Sequence, residues 1–281
     1  MVQRTLAVRR HRQRVWFERW IREGYSVRQL SQQSGQPSMR LRRIIEYWLA
    51  HPPAVFPDLS RYRHLIVDTT YLCGRRWPLT VFMDAVANTV ITGELGVHEA
   101  ASAMGPYCAH LARQGLNPFS ITTDGQPRLL ESLRQCWPQT ILQRCLVHIQ
   151  RQGLMWCRRR PTRADAQHLW RLFQKLTAIR TPAARDRWID QLIAWEQRYG
   201  WKIALTPGHG RVFSDLKRAR SLLVHALPEM FHFLEHPGIP NTTNGLEGYF
   251  SRLKMRYRQH RGLHPQRRHA YIQWYLYLCK R

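Results

Sequence analysis

Three carboxylate residues occupy positions in the sequence that suit metal-dependent chemistry. Asp68 follows the apolar stretch His64–Val67, Asp124 comes just after Phe119–Thr122, and Glu247 is the sole acid of the last 41 residues. Ligands of open α/β sheets bind at strand ends, and a few carboxylates suffice to hold Mg²⁺, with Mn²⁺ as an alternative ion. Two such ions activate the attacking oxygen and stabilise the leaving oxygen in phosphodiester transfer. The sequence therefore predicts a carboxylate metal site.

Ordinary structural roles compete with catalysis at each of these acids. Asp68 could form a strand-end turn, Asp124 precedes a glycine as in a common turn, and Glu247 could favour a helix N-terminus. A fourth acid, Asp84, also follows an apolar stretch and is the main competitor for a metal role. We place Asp84 in or near a hairpin with its turn at Ala87-Asn88 and therefore favour the first three.

The composition indicates a globular chain with a polyanionic partner. Its 281 residues carry 44 Lys and Arg against 18 Asp and Glu, a formal charge of +26, which favours DNA or RNA. An apolar share of 44% with 11 Trp excludes disorder, and no apolar run reaches the roughly 18 residues of a membrane span. Six Cys without a CxxC pair favour a reducing cytoplasm. The basic N-terminus lacks an apolar signal core, so we expect no secretion signal.

The positive charge is distributed unevenly along the chain. The net charges of four successive segments are +8 for residues 1–50, +1 for 51–150, +9 for 151–240 and +8 for 241–281. A simple basic nucleic-acid coat would not need the near-neutral block, which contains Asp68 and Asp124. Carboxylates gathered at a metal site inside a DNA-binding protein would produce it, with the basic segments holding DNA phosphates.

The late helix that carries Glu247 is predicted to have one polar face. Asn244 lies three residues before Glu247, Ser251 four after and Lys254 seven after, which is the spacing of one helical face. Asn244 is thus a candidate for active-site support, and Lys254 is placed to contact a DNA phosphate. Arg258 extends the same stripe. A solvated basic face is the alternative interpretation for both cations.

Cys145 and His148 form a Cys-x2-His pair that could suggest zinc. Two ligands are too few for a zinc site, and Cys73 and Cys157 do not stand at convincing spacing. A nucleophilic Cys-His pair is a further alternative, but no oxyanion-binding machinery accompanies it. We interpret both residues as packing beneath the active site or forming hydrogen bonds near it.

The first 50 residues predict a helix-turn-helix. Gly24 closes a first helix, Ser26 suits the cap of a second, and Gly35 lies where the tight turn needs a permissive backbone. Ser38 is predicted to cap the third helix. The apolar residues expected to face inward are Leu30, Leu41, Ile44 and Ile45.

The third helix of this segment is expected to face DNA. Its candidate contacts are Ser38, Arg40, Arg42 and Arg43. An ordinary helical hairpin with a solvated basic face is the alternative. The Pro-rich stretch His51–Pro57 predicts a linker over residues 51–60, which separates domain 1–50 from domain 61–281.

Beyond residue 60 the pattern predicts an α/β fold. The expected strands are His64–Val67, Leu79–Met83, Thr89–Gly93, Phe119–Thr122 and Thr140–Leu142. The expected helices are Ala100–Gln114, Pro127–Cys136, Thr242–Tyr257 and Pro265–Cys279, with an all-helical stretch over 160–235 that breaks at Thr206–Gly210. This order suits a mixed sheet flanked by helices.

Three segments and their order resemble the DDE transposases of the Mutator-like superfamily, which includes bacterial insertion-sequence transposases. The segments are Ile66–Leu72, Ile121–Gly125 and Asn241–Lys254, with Arg144–His148 between the last two. An apolar strand that ends in Asp is common by itself. The order, the Cys-x2-His pair and the Thr-Thr-Asn-x-Leu-Glu helix are much more specific. The resemblance covers roughly residues 60–281.

The resemblance implies an RNase H-like fold with an α-helical insertion, here about residues 150–240. It implies that Asp68, Asp124 and Glu247 bind the metal and perform catalysis. The implied enzyme cuts DNA at the ends of its mobile element with water and joins the freed 3′-OH to target DNA. It binds terminal inverted repeats as a homo-oligomer on DNA, in the nucleoid of the cytoplasm. The alternatives are a structure-specific nuclease of the same fold and a helix-turn-helix repressor with a decayed catalytic domain.

The predicted insertion is rich in Trp and Arg. Its tryptophans are Trp156, Trp170, Trp188, Trp195 and Trp201. Their helical spacing favours a core, and stacking on an unpaired base at a cleaved DNA end is the alternative. Arg158 and Arg159, in a run that continues to Arg160, are predicted to face DNA.

Overall fold

The computed structural model describes residues 2–53, 58–72, 77–97, 101–205, 211–260 and 262–281. The strands are β1 (His64–Leu72), β2 (Trp77–Asp84), β3 (Thr89–Leu95), β4 (Ser120–Thr123) and β5 (Ile141–Arg144). The helices before β5 are α1 (Val2–Glu23), α2 (Val27–Ser34), α3 (Ser38–Ala50), α4 (Ala101–Arg113) and α5 (Pro127–Cys136). Those after β5 are α6 (Leu146–Cys157), α7 (Ala164–Leu176), α8 (Pro182–Trp195), α9 (Trp201–Leu205), α10 (Arg211–Ala226), α11 (Asn244–Arg258) and α12 (Pro265–Leu278).

The described strands form a mixed five-stranded open sheet in the order β3-β2-β1-β4-β5. β1 pairs parallel with β4 and β4 pairs parallel with β5, whereas β2 and β3 form an antiparallel hairpin. At the hairpin, the Ala87 N–H donates to Asp84 Oδ2 at 2.9 Å and Asn88 adopts a φ of 53°. The α/β class and the hairpin position of Asp84 are thus confirmed.

The predicted position of Asp68 at the end of its strand is wrong. β1 continues four residues beyond Asp68 and ends at Leu72. The cause lies in the residues that follow, because Thr69, Thr70 and Tyr71 have the β-branched and aromatic side chains that favour strands. The Thr69 hydroxyl also bonds the Thr80 hydroxyl of β2 at 2.8 Å, which supports the extension.

The chain divides into two compact units. The first unit comprises Met1–Arg61, Asp68–Leu116 and Asn244–Arg281, and the second comprises Tyr62–Val67 and Asn117–Thr243. In the first unit, α1 and α3 pack against α12. The Trp274 Nε1–H donates to the Trp48 carbonyl at 2.8 Å, and the Phe17 and Trp274 rings meet edge to face at 5.0 Å. An aromatic core therefore joins the first helices of the chain to its last.

The turn between α2 and α3 follows the expected local chemistry at its start. Ser26 caps α2, since its hydroxyl accepts the Gln29 N–H at 3.3 Å while the Gln29 side chain accepts the Ser26 N–H at 2.8 Å. Gly35 closes α2 with a φ of 65°. The side chains expected to face inward are all buried: Leu30, Leu41, Ile44 and Ile45.

Ser38 does not cap α3, which corrects the sequence prediction. Pro37 is the capping residue, and its carbonyl already accepts the Arg40 and Leu41 N–H groups at 3.0 and 3.2 Å. Its φ of −59° fixes the approach to the helix, so Ser38 is the first helical residue and makes no side-chain cap.

The second unit has a helical core that buries most of the predicted tryptophans. Trp188 Nε1 donates to the Leu172 carbonyl and Trp195 Nε1 to the Asp165 carbonyl, both at 2.9 Å. Trp156 and Trp170 pack partly buried against the same core. Trp201 is 55% exposed, so the core interpretation is wrong there. The predicted break at Thr206–Gly210 and most of the Pro-rich stretch lie outside the described residues.

Candidate functional site

Asp68 lies in the interior of β1, in the first unit, and is 9% exposed. Its Oδ1 accepts the Thr69 N–H at 2.8 Å. The neighbouring Thr80 hydroxyl, bonded to Thr69, donates in turn to the Val97 carbonyl at 2.9 Å. This chain of hydroxyl contacts holds the strand in place beside the Asp68 carboxylate.

Glu247 lies in the first turn of α11, also in the first unit, and is half-buried. The buried side of α11 consists of Leu246, Tyr249, Phe250, Leu253 and Tyr257. On the same helix Asn244, Ser251 and Arg258 are exposed and Lys254 is half-buried. The predicted polar stripe is thus confirmed as the face that α11 does not bury.

Asp124 directly follows β4, as predicted, and is half-buried in the second unit. Its Oδ1 accepts the Gln126 N–H at 3.2 Å and the Thr123 hydroxyl at 3.4 Å. Gln126 in turn caps α5 by accepting the Leu129 N–H at 2.8 Å. The carboxylate therefore sits at the junction between a buried strand and a capped helix, where its position is well fixed.

Arg144, the last residue of β5, contacts the backbone beside Asp124. Arg144 is 6% exposed, and its guanidinium donates through Nη2 to the Asp124 carbonyl at 3.2 Å. Gly125 has a φ of 86°, and a Cβ there would overlap the Arg144 guanidinium, so only glycine fits. Burial lowers the pKa of Arg144, opposed by the charges of Glu229 and Asp124.

The role of Arg144 was not found from the sequence, although a signal was present. It is the one charged residue of the otherwise uncharged strand Ile141–Arg144. A cation in a strand that is to be buried requires an anion or several acceptors, which marks a site of interest.

Cys145 and His148 meet Thr243 in a buried polar cluster of the second unit. The His148 Nδ1 lies 3.3 Å from Cys145 Sγ, and Thr243 donates to the same sulfur through its N–H at 3.4 Å and its hydroxyl at 3.5 Å. Burial alone would raise the pKa of the Cys145 thiol, but the hydrogen bonds from His148 and Thr243 hold it below its ordinary value.

This cluster fixes the segment that leads into α11. The Leu146 N–H donates to the Asn241 carbonyl at 2.9 Å, and the Thr122 hydroxyl donates to the Pro240 carbonyl at 2.8 Å. Together with the Thr243 contacts, these bonds hold the chain a few residues before Glu247. Support of the active site by Cys145, His148 and Asn244 stays a prediction.

The two alternatives for the Cys-His pair receive no support from the described residues. Cys145 is fully buried, which is unsuited to a nucleophile that must reach a macromolecule. Burial raises the pKa of the Cys157 thiol to about 12, which disfavours the thiolate that zinc needs. Cys73 lies outside the described residues.

The described ranges contain no cluster of three or more His, Cys, Asp or Glu side chains that could hold a metal ion. Asp68 and Glu247 belong to the first unit and Asp124 to the second. Chemically the donor set fits Mg²⁺, because that ion prefers carboxylate oxygens. The joint metal site of the three residues stays a prediction.

The predicted DNA contacts are solvent-accessible side chains. The exposed residues are Ser38, Arg40, Arg42 and Arg43 on α3 in the first unit, and Arg158 and Arg159 after α6 in the second. Contact of these residues with DNA stays a prediction. Within the described ranges, no helix combines the length and the apolar character that a membrane span requires.

Comparison with known proteins bears on the central part of the chain. Residues 87–207 match the family described as Transposase, Mutator family. A probable transposase for an insertion sequence element from Corynebacterium diphtheriae is 27% identical over 120 residues, which cover 41% of this chain and 32% of the relative. The chain thus spans about a third of the length of the curated relative that it matches.

The matched region includes Asp124, Cys145 and His148, but it begins after Asp68 and ends before Glu247. It also takes in β3–β5 and most of the helical part of the second unit. The comparison confirms the resemblance that the sequence motifs indicated, since residues 87–207 are similar to the Mutator family of transposases.

Proposed function

We propose that this chain is a DNA transposase that binds the ends of its mobile element, cleaves the DNA and joins the element to a target. The observation that carries the proposal is the Mutator-family match over residues 87–207, within which Asp124 follows a buried strand of a mixed sheet. The segments around Asp68 and Glu247 occur in the order that resembles Mutator-like transposases, and this extends the proposal to the parts of the chain that flank residues 87–207.

The proposed architecture is an RNase H-like core with a helical insertion and an N-terminal helix-turn-helix. A central β1, parallel to β4 and followed by an antiparallel hairpin, is compatible with such a core. Helices α6–α10 correspond to the insertion. The capped α2, the turn at Gly35 and the exposed arginines of α3 support DNA recognition by the N-terminal helices.

In the proposed mechanism, Asp68, Asp124 and Glu247 would hold Mg²⁺ or Mn²⁺ through their carboxylate oxygens. Bound cations would activate the attacking oxygen and stabilise the leaving oxygen. Water attacks phosphorus, the bond to the 3′ oxygen breaks, and the element end keeps a 3′-OH while the flank keeps a 5′-phosphate. That 3′-OH then attacks a target phosphodiester, forming one P–O bond as another breaks. Lys254 and Arg258, beside Glu247 on α11, would bind the DNA backbone.

Cleavage of DNA that contains the gene's own flanks tests this function. With Mg²⁺, the wild-type chain should nick at the ends of flanking inverted repeats, which a denaturing gel resolves. Asp68→Asn, Asp124→Asn and Glu247→Gln should each slow nicking ~100-fold or more, because each removes a charged metal ligand. Asp84→Asn is the matched control, since Asp84 serves the hairpin, and it should cut at the wild-type rate.

Three outcomes would contradict the proposal. Specific binding without any nicking would favour a repressor with a decayed catalytic domain. Cutting that ignores the repeat sequence and follows branched structure would favour a structure-specific nuclease. Undiminished cutting by Asp68→Asn or Glu247→Gln would remove those residues from the active site.

A further inference from the structure

A basic cavity of about 580 Å³ opens in the second unit, next in the chain to Asp124. Gly125 and Pro127 line one side of it. Its functional groups are the cations Arg144, Lys217 and Arg218, together with Trp156 and His225. The cavity volume falls in the range of ordinary small-ligand sites, roughly 300–1,000 Å³. It therefore combines positive charge, an aromatic ring and room for one small ligand.

Arg144 gives this cavity a buried donor that has no acceptor. Its Nε is fully buried and has no hydrogen-bond partner among the described residues, although the guanidinium is planar and built for bidentate contacts. Glu229, the carboxylate whose charge most opposes the lowering of the Arg144 pKa by burial, is already paired with Arg134. A buried and incompletely bonded guanidinium is costly to leave unmatched. An anion bound in the cavity would satisfy it.

Helix α10 supplies further positive charge along one face. Lys217, Ser221 and His225 are spaced four residues apart and all line the cavity, as expected for one side of a helix. Lys217 is half-buried, and Arg218 beside it is exposed with only a 3.8 Å pair to Asp215. A pair at that distance on an exposed side chain contributes little, so Arg218 is available to a phosphate.

Trp156 distinguishes this cavity from a plain phosphate site. The ring is half-buried on α6, packs against the helical core of the second unit, and lines the cavity with its remaining surface. A phosphate does not stack on an indole ring, whereas every nucleobase has a flat face that can stack on one. Proteins hold single-stranded nucleic acid by combining an aromatic ring that stacks on a base with a positively charged groove that binds the backbone.

We propose that this cavity binds one unpaired nucleotide of the DNA substrate, with the base stacked on Trp156 and its phosphate held by Arg144, Lys217 and Arg218. The inference rests on the proposed function, because it takes DNA as the substrate. The proposed site would select DNA ends that are frayed or opened over DNA ends that are fully paired. One residue of its lining, Gly125, directly follows Asp124 in the chain.

Binding of two DNA probes by the full chain tests this site. One probe is a duplex with a short unpaired tail that contains 2-aminopurine, and the other is the blunt duplex of the same sequence. Wild-type protein should bind the tailed probe about tenfold more tightly, the size expected for one stacked base, and quench its fluorescence. Trp156→Ala should abolish both effects. Trp170→Ala, which truncates another half-buried Trp on the same core, should keep both effects.

A second variant keeps the test open if loss of the indole disturbs the fold. Lys217→Ala should lower the slope of log affinity against log salt by about 0.7 for the tailed probe, since one single-strand phosphate contact is lost. Arg187→Ala removes an exposed cation of the same unit that does not line the cavity and should leave the slope unchanged.

The failure of this inference can be told apart from failure of the transposase function. A wild-type tail preference in Trp156→Ala together with an unchanged salt slope in Lys217→Ala would overturn the nucleotide site, whatever the cleavage assay gives. Absence of nicking by the wild-type chain, with the tail preference lost in Trp156→Ala and the salt slope lowered in Lys217→Ala, would overturn the transposase function and leave the nucleotide site standing.

Discussion

His260 in the first unit and Arg144 in the second are equally buried, at 6% exposure each, and both donate to a backbone carbonyl. His260 packs between the rings of Trp20 and Tyr271, at 4.2 and 5.3 Å, and bonds the Trp20 carbonyl at 3.2 Å. Burial lowers its pKa to about 4, so it is neutral near pH 7. Arg144 keeps its charge in any protein environment, and its Nε has no partner among the described residues.

The contrast separates a structural core from a site with unused binding capacity. In the first unit, the buried polar group is uncharged and completes an aromatic cluster that joins α1 to α11 and α12. The second unit buries two polar groups near the end of β4. One is the Arg144 guanidinium, which bonds the Asp124 carbonyl, and the other is the Cys145 thiol, which bonds Thr243. Buried charge is costly, so a fold that retains it beside a predicted catalytic residue points to a ligand.

Two glycines that each lie against an arginine, one in each unit, allow this difference between the units to be measured. Gly24 (φ 71°) lies against Arg256, and an added Cβ would come within 3.2 Å of Arg256 Cδ and 3.3 Å of Arg256 Cα. Gly125 (φ 86°) lies under the buried Arg144, where an added Cβ would overlap the guanidinium itself. The contact at Gly24 would require a shift of a few tenths of an ångström, whereas an added Cβ at Gly125 would displace the Arg144 guanidinium from its place beside the Asp124 carbonyl.

Gly125→Ala should cause the largest loss of stability, about 3 kcal/mol or more, from backbone strain plus overpacking. Gly24→Ala should cost less, about 1–2 kcal/mol from backbone strain, because its contacts with Arg256 require only a small shift. Gly35→Ala is the matched control for backbone strain alone, since its φ is 65° and no atom lies within 4 Å of an added Cβ. Urea unfolding of the three variants measures the order. A loss at Gly125 no greater than at Gly35 would contradict the tight packing of Arg144.

The neutral state of His260 predicts a pH dependence confined to the first unit. Its pKa is lowered from 6.5 to about 4, so the unfolded chain binds the proton first as pH falls. Stability should therefore be full above pH 6.5 and decline by about 1.4 kcal/mol per pH unit toward pH 4.

The variant His260→Gln isolates this effect, because its amide can still donate to the Trp20 carbonyl but does not titrate. The difference in unfolding free energy between wild type and variant should shrink steadily between pH 6.5 and 4. A difference that stays constant with pH would contradict a lowered pKa, because it requires His260 to have the same pKa in the folded and the unfolded chain.

Local signals predicted the elements that depend on neighbouring residues. Helix α5 was predicted with its observed bounds, since Pro127 marks its first turn and apolar residues recur at helical spacing. The capping role of Ser26 and the turn at Gly35 followed from the same kind of signal. Asp68 was misplaced because the apolar run ends at Val67, whereas the β propensity of Thr69–Tyr71 and the contact between Thr69 and Thr80 of β2 extend the strand.

The candidate site was only partly predictable for the same reason. The order of motifs indicated Asp124 and the Cys-x2-His pair, and the family match covers the region around them. The contact of Cys145 with Thr243 spans 98 positions, and that of Arg144 with the Asp124 carbonyl spans 20. Contacts at such separation arise from the sheet and not from periodicity, so neither Thr243 nor Arg144 received a role from the sequence.

The most direct test of the central claim is to locate the metal ligands by iron-mediated cleavage of the polypeptide. Fe²⁺ replaces Mg²⁺ in the full chain bound to DNA, peroxide and ascorbate generate hydroxyl radicals at the bound ion, and the cuts are mapped along the chain. We expect cuts near Asp68, Asp124 and Glu247 together, suppressed by excess Mg²⁺ and lost at all three places in Asp124→Asn. Cuts near only one of the three, or cuts that persist in Asp124→Asn, would contradict a shared carboxylate metal site.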